Sequence, residues 1–254
     1  MAFNGGPTSA QYAVLISIAI PAFNEEKLLG ETLASVKTVG AAFRARGWEL
    51  EVVVCDNNST DRTGAIAEAT GARVVFEEKN QISRARNAAG YAARGDWIIF
   101  LDADSAPHEG LFAATAELME MDSTLGGGVV IRMECIPWWA QVGLWKWNTI
   151  SRVFKLPAGS YIFCRAAAFR KLKGFSHKLF AAEEIEFDLR LNRLARRQGQ
   201  KIHIIRRPPL LSSNRRMVMY SPFRLLWFLI VTTFTAGFNL RRRETCNWWY
   251  DGQR

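Results

Sequence analysis

Cysteine is sparse in this sequence, and its four copies (Cys55, Cys135, Cys164, Cys246) form no CxxC pair. That argues against a zinc ribbon and a disulfide framework and fits a reducing, cytoplasmic setting. Histidine is scarcer still: His108, His177 and His203 fall in no metal-binding motif, and each is expected to be solvated or satisfied, His108 in a helix cap. Long apolar runs are missing too. The longest uncharged apolar stretch, between Arg224 and Arg241, has 16 residues including three threonines, short of the ~20 needed to cross a bilayer; it reads as interfacial or buried. The opening MAFNGGPTSAQY lacks the basic and apolar regions of a signal peptide. No internal repeat or low-complexity run is visible.

What is present is an ordinary globular composition, 49% hydrophobic and 22% charged over 254 residues, enough for one or two domains. The net charge of +9 is unevenly spread. Residues 193–254 carry 13 Lys+Arg against 2 Asp+Glu, whereas residues 1–192 carry 20 against 22. A nearly neutral body followed by a strongly basic region suggests an anionic surface partner, nucleic acid or acidic lipid.

Short β-branched runs alternate with helical patterns, the signature of βαβ units and a parallel sheet. Strands are expected at 14–21, 51–55, 73–76, 97–101, 127–132, 160–164 and 201–205. Helices are expected at 25–38, 60–69, 82–93, 110–121, 166–171 and 183–197. Residues 134–158 differ in character, with Trp138, Trp139, Trp145 and Trp147 interleaved with Lys146, Arg152 and Lys155; this suits an interfacial helix, an acceptor lip or buried packing.

Ligands of open parallel sheets bind at the carboxyl ends of the strands. Three polar clusters fall there: Pro21-Ala22-Phe23-Asn24-Glu25-Glu26, Asp56-Asn57-Asn58-Ser59-Thr60-Asp61 and Asp102-Ala103-Asp104-Ser105. Asp61 is expected to cap the following helix, while Asp56 lies too early to cap and is the better ligand contact. Asp102 and Asp104, two residues apart at a strand end, project to one side. Their like charges favour a cation between them, and hard carboxylate oxygens suit Mg²⁺ or Mn²⁺. The competing reading is a turn in which Asp104 or Ser105 caps the helix after Pro107.

IAIPAFNEE (18–26), VVVCDNNSTDRT (52–63), RARNAAG (84–90), WIIFLDADS (97–105), PAGSYIFCRAAAFRKLKGF (157–175) and AAEEIEFDLRLNR (181–193) occur in this order. Together they resemble the family 2 glycosyltransferases of GT-A fold. The resemblance implies an α/β, Rossmann-like, mostly parallel sheet flanked by helices over residues 1–210. Residues 14–105 would form the nucleotide-sugar half and 106–210 the acceptor half, with 211–254 a basic, aromatic amphipathic extension. It implies inverting transfer from a UDP- or GDP-linked sugar to a lipid-linked or saccharide acceptor. Pro21, Phe23, Asn24, Glu25, Asp56, Arg86 and Asp102 would lie at the donor, with Phe23 stacking on the base and Asp56 contacting it. Asp102 would reach ribose or metal, and Asp104 would bind Mn²⁺ or Mg²⁺ directly. The family's acidic pair corresponds to Glu183 and Glu184, with Glu184 as base and Glu183 positioning the acceptor; Glu186 instead matches an i,i+4 surface pair with Arg190.

The basic region allows peripheral attachment to an anionic inner membrane face, or donation of Arg215 and Arg216 to the donor diphosphate. Alternatives to the transferase are a nucleic-acid-binding protein, for which no binding module is visible, and a non-catalytic nucleotide-sugar-binding relative. A phosphohydrolase built on the DxD is disfavoured because the aspartates follow the fourth strand. No nucleic-acid partner is expected.

Overall fold

In the computed structural model the described residues are 13–213, 227, 231, 232, 235 and 238–249. The elements in chain order are β1 (Leu15–Ala22), α1 (Leu29–Val39), α2 (Ala41–Arg44), β2 (Glu49–Asp56), α3 (Thr63–Ala69), β3 (Arg73–Phe76), α4 (Ile82–Ala92) and β4 (Trp97–Leu101). They continue with β5 (Ser105–Ala106), α5 (Glu109–Met119), β6 (Thr124–Arg132), α6 (Trp138–Phe154), β7 (Tyr161–Arg165), α7 (Ala166–Leu172), α8 (Glu183–Arg197) and β8 (Lys201–Ser212). Two 3₁₀ turns, Phe238–Arg241 and Arg243–Trp249, follow.

The strands form one sheet in the order β3-β2-β1-β4-β7-β6-β8-β5. β3, β2, β1 and β4 run parallel. β7 is antiparallel to both β4 and β6, β6 is parallel to β8, and the short β5 is antiparallel to β8. Alternation along the central strands feeds two cores. Ile16, Ile18, Ile20, Ile99, Tyr161 and Phe163 meet Phe43 and Phe112 on one face. Ala19, Phe100, Ile162 and Cys164 meet Phe169, Phe175 and Phe187 on the other. Each such fully buried aromatic contributes about 1.5–3 kcal/mol, and coverage of both faces explains the unbroken apolar run of β4.

The expected first helix begins only at Leu29, because residues 25–28 form a turn in which the Glu25 carbonyl accepts from the N–H groups of Leu28 and Leu29. β8 runs well beyond the expected 201–205. Pro208 and Pro209 carry no N–H and hide the strand from a pattern reading; the ladder skips them, passing from Val129↔Ile205 to Ile131↔Leu210 across a bulge. Neither α2 nor β5 was expected. Residues 138–154 form a helix whose outer side carries Trp138 and Trp145 to solvent, so these two indoles are not core. Among the described residues no helix is long and apolar enough to cross a membrane. Arg215, Arg216 and most of the Tyr220–Leu240 stretch lie outside the described residues, as does the side chain of Trp248.

The Gly126–Gly128 run lies inside β6, where the strand has close neighbours on both sides. A Cβ at Gly127 would sit 2.2 Å from the His203 carbonyl oxygen and 2.7 Å from the Phe163 ring. Gly127→Ala is therefore expected to cost about 1–3 kcal/mol, seen as a lower urea midpoint at unchanged m-value.

Candidate active site

The carboxyl edge of the parallel half is assembled by cross-links between loops. After β1, Asn24 takes a left-handed backbone (φ 52°) that asparagine tolerates. Its N–H donates to Ser59 Oγ (3.0 Å), and its Oδ1 accepts from the Thr60 N–H (2.8 Å). The Glu25 N–H donates to Thr63 Oγ1 at 2.8 Å, and the Glu26 N–H to Asp61 Oδ2 at 3.1 Å. Asp61 Oδ1 also takes the Thr63 N–H at the start of α3 (2.9 Å), the capping role expected of it. Asp56 Oδ1 accepts from the Ser59 N–H at 2.9 Å, so the half-buried carboxylate both closes its turn and borders the edge. Asn57, 3% exposed, donates from Nδ2 to the carbonyls of Glu77 and Lys79, tying the third loop to the second.

Just past β4, Asp102 and Asp104 are both half-exposed while Ala103 between them is buried. Both carboxylates reach solvent from the turn that follows β4, where strand alternation no longer applies. Thr32 Oγ1 fixes the turn by donating to the Ala103 carbonyl at 2.8 Å. The helix after Pro107 is capped by His108, whose Nδ1 accepts from the Gly110 N–H, and Ser105 is paired into β5; neither Asp104 nor Ser105 serves as that cap. Among the described residues no three His, Cys, Asp or Glu side chains converge to hold a metal. The donor set still suits a hard cation, because Mg²⁺-like ions take one or two carboxylates and complete their shell with phosphate oxygens and water.

Arg86 joins these elements. It sits in mid-α4, 4% exposed. Its Nη1 contacts Glu183 Oε1 at 2.7 Å, while Nη2 reaches Asp102 Oδ1 at 3.1 Å and the Gly159 carbonyl at 3.0 Å. The guanidinium also lies 5.6 Å from the Phe175 ring centroid. Asp102, Glu183 and Glu184 raise its affinity for the proton further, against burial. Glu183 opens α8 and is 2% exposed; burial, then the neighbouring Glu184, push its carboxyl up to about 8 despite Arg86. Glu184 is half-buried and lies beside the same loop, since a Cβ on Gly159 would be 3.3 Å from Glu184 Cγ and 3.2 Å from Arg86 Nη2. Glu186 pairs with Arg190 at 2.6 Å, the i,i+4 surface contact expected.

An open cavity of about 530 Å³ lies at the carboxyl ends of β2 and β3, bordered by Asn58, Lys79, Gln81, Arg84, His177 and Arg243 among others. Gln81, buried, bridges two loops by donating from Nε2 to the carbonyls of His177 and Leu179, both at 2.9 Å. Arg243 arrives from far along the chain. Its segment is held where the Phe180 N–H donates to the Leu240 carbonyl at 2.7 Å and where buried Cys246 packs on Ala181.

Known proteins resemble this chain in sequence and in fold. The sequence profile described as "Glycosyl transferase family 2" matches residues 17–177, more than half of the chain. The chain belongs to glycosyl transferase family 2. Among curated relatives, "Probable glycosyltransferase YdaM" of Bacillus subtilis (strain 168) is 29% identical over 207 residues, covering 70% of this chain and 47% of the relative. An undecaprenyl-phosphate 4-deoxy-4-formamido-L-arabinose transferase of Pseudomonas paraeruginosa is 36% identical over 97 residues, covering 35% of this chain and 28% of the relative. The chain therefore spans less than half the length of either relative. Two solved structures share its fold. The mannosyltransferase PcManGT from Pyrobaculum calidifontis, in complex with GDP-Man and Mn²⁺, has TM-score 0.64 at 18% identity, covering 86% of this chain and 61% of that one. Glucosyl-3-phosphoglycerate synthase from Mycobacterium tuberculosis, in complex with Mn²⁺, UDP and glucosyl-3-phosphoglycerate, has TM-score 0.62 at 19% identity, covering 95% and 88%.

Within this family member, the structure gives each of the other expected site residues a definite setting. Arg86 does not face the donor side openly but is buried as the bridge between Asp102 and Glu183. Glu183, expected to position the acceptor, points inward onto Arg86, and Glu25 is 6% exposed with its N–H committed to Thr63. Pro21 is the last but one residue of β1, paired with Cys55, and Phe23 and Asn24 are part-exposed in the loop after it. His177 is satisfied, its Nε2 lying 2.6 Å from Asn87 Nδ2. His203 Nε2 instead is buried without a partner, and burial followed by Lys155 and Lys201 lowers its proton affinity.

Asp188 went unnoticed in the sequence. It is fully buried in α8, and neither carboxyl oxygen has a hydrogen-bond partner. Burial, then the Glu184 charge, raise its pKa well above the carboxylate range against the opposing pull of Arg86. The signal was available: Asp188 falls in the apolar stripe with Phe187, Leu191 and Leu194.

Two expectations follow. Arg86→Met leaves Asp102 without its cation and Glu183 and the Gly159 carbonyl without their donor, and should destabilise the fold by about 3–5 kcal/mol at neutral pH, with a smaller loss in acid, where Asp102 too protonates. For Asp188, the unfolded carboxyl loses its proton near pH 4 while the folded one retains it, so wild-type stability falls as pH rises above that range. Asp188→Asn carries no such term, and its melting temperature relative to wild type should climb between about pH 5 and pH 8; a flat difference across that range would refute the buried neutral acid.

Proposed function

We propose that this chain transfers a glycosyl group from a nucleoside-diphosphate sugar, UDP- or GDP-linked, to a hydroxyl of a lipid-linked or saccharide acceptor, inverting the anomeric centre. One observation carries the reading: Arg86 and Gly159 bring the Asp102–Asp104 turn and Glu184 to the same sheet edge. Phe23 offers its ring to the base and Asp56 its free oxygen, while Pro21, Asn24 and Glu25 shape the loop between them. The cavity beside them, lined by Lys79, Arg84 and Arg243 with Glu78 as the single acid, favours an anionic ligand.

Asp104, with Asp102 next to it, would hold Mn²⁺ or Mg²⁺, a reading supported by the Mn²⁺ named with the mannosyltransferase and the synthase. Such an ion supplies charge neutralisation to a departing diphosphate. Glu184 accepts the acceptor hydroxyl proton as that oxygen forms its bond to the anomeric carbon and the bond from carbon to the diphosphate oxygen breaks. Glu183 and Arg86 act through others, holding Asp102 and Glu184 in register.

A thermal-shift panel of UDP-, GDP- and dTDP-sugars with and without Mn²⁺ tests the donor, since stabilisation scales with ligand concentration over Kd. Asp104→Asn should lose the Mn²⁺-dependent shift. Glu184→Gln should keep that shift and lose transfer by about 10²–10⁴-fold, the usual worth of a general base. Turnover unchanged in either variant removes the role assigned to that residue.

A further inference from the structure

α6 is amphipathic with its apolar side turned outward. Trp138 (77% exposed), Val142, Trp145 (65%), Ile150, Val153 (66%) and Phe154 face solvent, while only Ala140 and Ser151 of the helix are buried. On a helical period Trp138, Val142 and Trp145 recur at i, i+4 and i+7, opposite Ala140 and Ser151. The helix is fixed in this attitude from its inner side. Asn148 imitates a strand partner for β6, its Oδ1 accepting from the Ile131 N–H at 3.1 Å and its Nδ2 donating to the Ile131 carbonyl at 2.9 Å. At the other end Asn192 Nδ2, on α8, donates to the Lys155 carbonyl at 2.7 Å.

Charge identifies what this face fits. α6 contains Lys146 and Arg152 and no acidic residue, and exposed Lys155 follows directly. Indoles prefer the headgroup layer, and amphipathic helices bearing tryptophan with interspersed cations lie in it. The basic excess of residues 193–254 has the same sign. We infer that the outer face of α6 docks on an anionic lipid bilayer. Lipid tails receive the indoles and aliphatic side chains, and anionic headgroups neutralise Lys146 and Lys155.

The placement has a consequence for the acceptor, which rests on the transferase reading above. From Phe154 the chain passes through buried Leu156, Pro157 and Ala158 to Gly159, whose carbonyl holds Arg86 and whose Cα adjoins Glu184. A helix lying on the bilayer therefore leads directly into the wall beside the candidate base, and the acceptor class it favours is a lipid-linked hydroxyl presented at the headgroup layer.

The test uses the full chain with phosphatidylcholine vesicles, with and without phosphatidylglycerol. Co-sedimentation and a blue shift of tryptophan emission are expected with phosphatidylglycerol, weakening as salt rises. Trp138→Ser combined with Trp145→Ser, and Lys146→Glu combined with Lys155→Glu, should each lower vesicle affinity about tenfold or more. Variants that bind as well as wild type, or a wild type that ignores both vesicles, overturn the inference. So does a wild-type dimer that the tryptophan variants dissolve, since the face then covers a second copy. The Mn²⁺-dependent shift with nucleotide sugars should be unchanged in these variants. Its absence in the wild type, with vesicle binding intact, overturns the transferase reading and the acceptor consequence while leaving the bilayer surface standing.

Discussion

A single buried guanidinium organises this molecule's chemistry. Arg86 reaches a strand-end aspartate, the first residue of a helix and a loop carbonyl from one planar fork, and each contact comes from a different stretch of chain. Arginine suits this position because its charge survives burial and its donors have fixed directions. The neighbourhood is nonetheless overloaded with acid, with Asp102, Glu183, Glu184 and Asp188 around one cation. The excess is absorbed by proton retention on Glu183 and Asp188, the two carboxyls most removed from water. Asp102 and Glu184 are the two of this group that reach solvent.

The first half of the fold was legible because its strands are apolar runs long enough to be buried on both faces and its turns are rich in Asp, Asn and Ser. The pairing of Glu186 with Arg190 follows from helical spacing, whereas Asp102 and Asp104 lie in the turn after β4, beyond the reach of strand alternation. What stayed hidden depended on tertiary partners. Pro208 and Pro209 concealed the outer part of β8 because the bulge that excuses them is a property of the pair with β6. The burial of Arg86 and Glu183 could not be read from residues that are ordinarily exposed. The tryptophans of α6 gave an amphipathic pattern without its direction; that was decided by Asn148 and Asn192, two polar residues with no local signal.

The site edge is rigid for reasons separate from its chemistry. Asn24, Ser59, Thr60, Thr63 and Asp61 exchange hydrogen bonds between loops that follow adjacent strands, and Asn57 and Gln81 extend the same stitching to the third loop and to the stretch before α8. Side-chain amides and hydroxyls here serve in place of a sheet beyond the sheet's end, where backbone pairing has run out. A ligand at this edge meets a surface whose ordering cost has been met during folding.

The cavity wall contributed by Arg243 depends on contacts outside both sheet cores. The cavity's other borders belong to the segments after β2 and β3 and the stretch before α8, but this one is held by the contacts of Leu240 with Phe180 and of Cys246 with Ala181. Loss of either contact would thus open one side of the pocket while leaving the two sheet cores untouched.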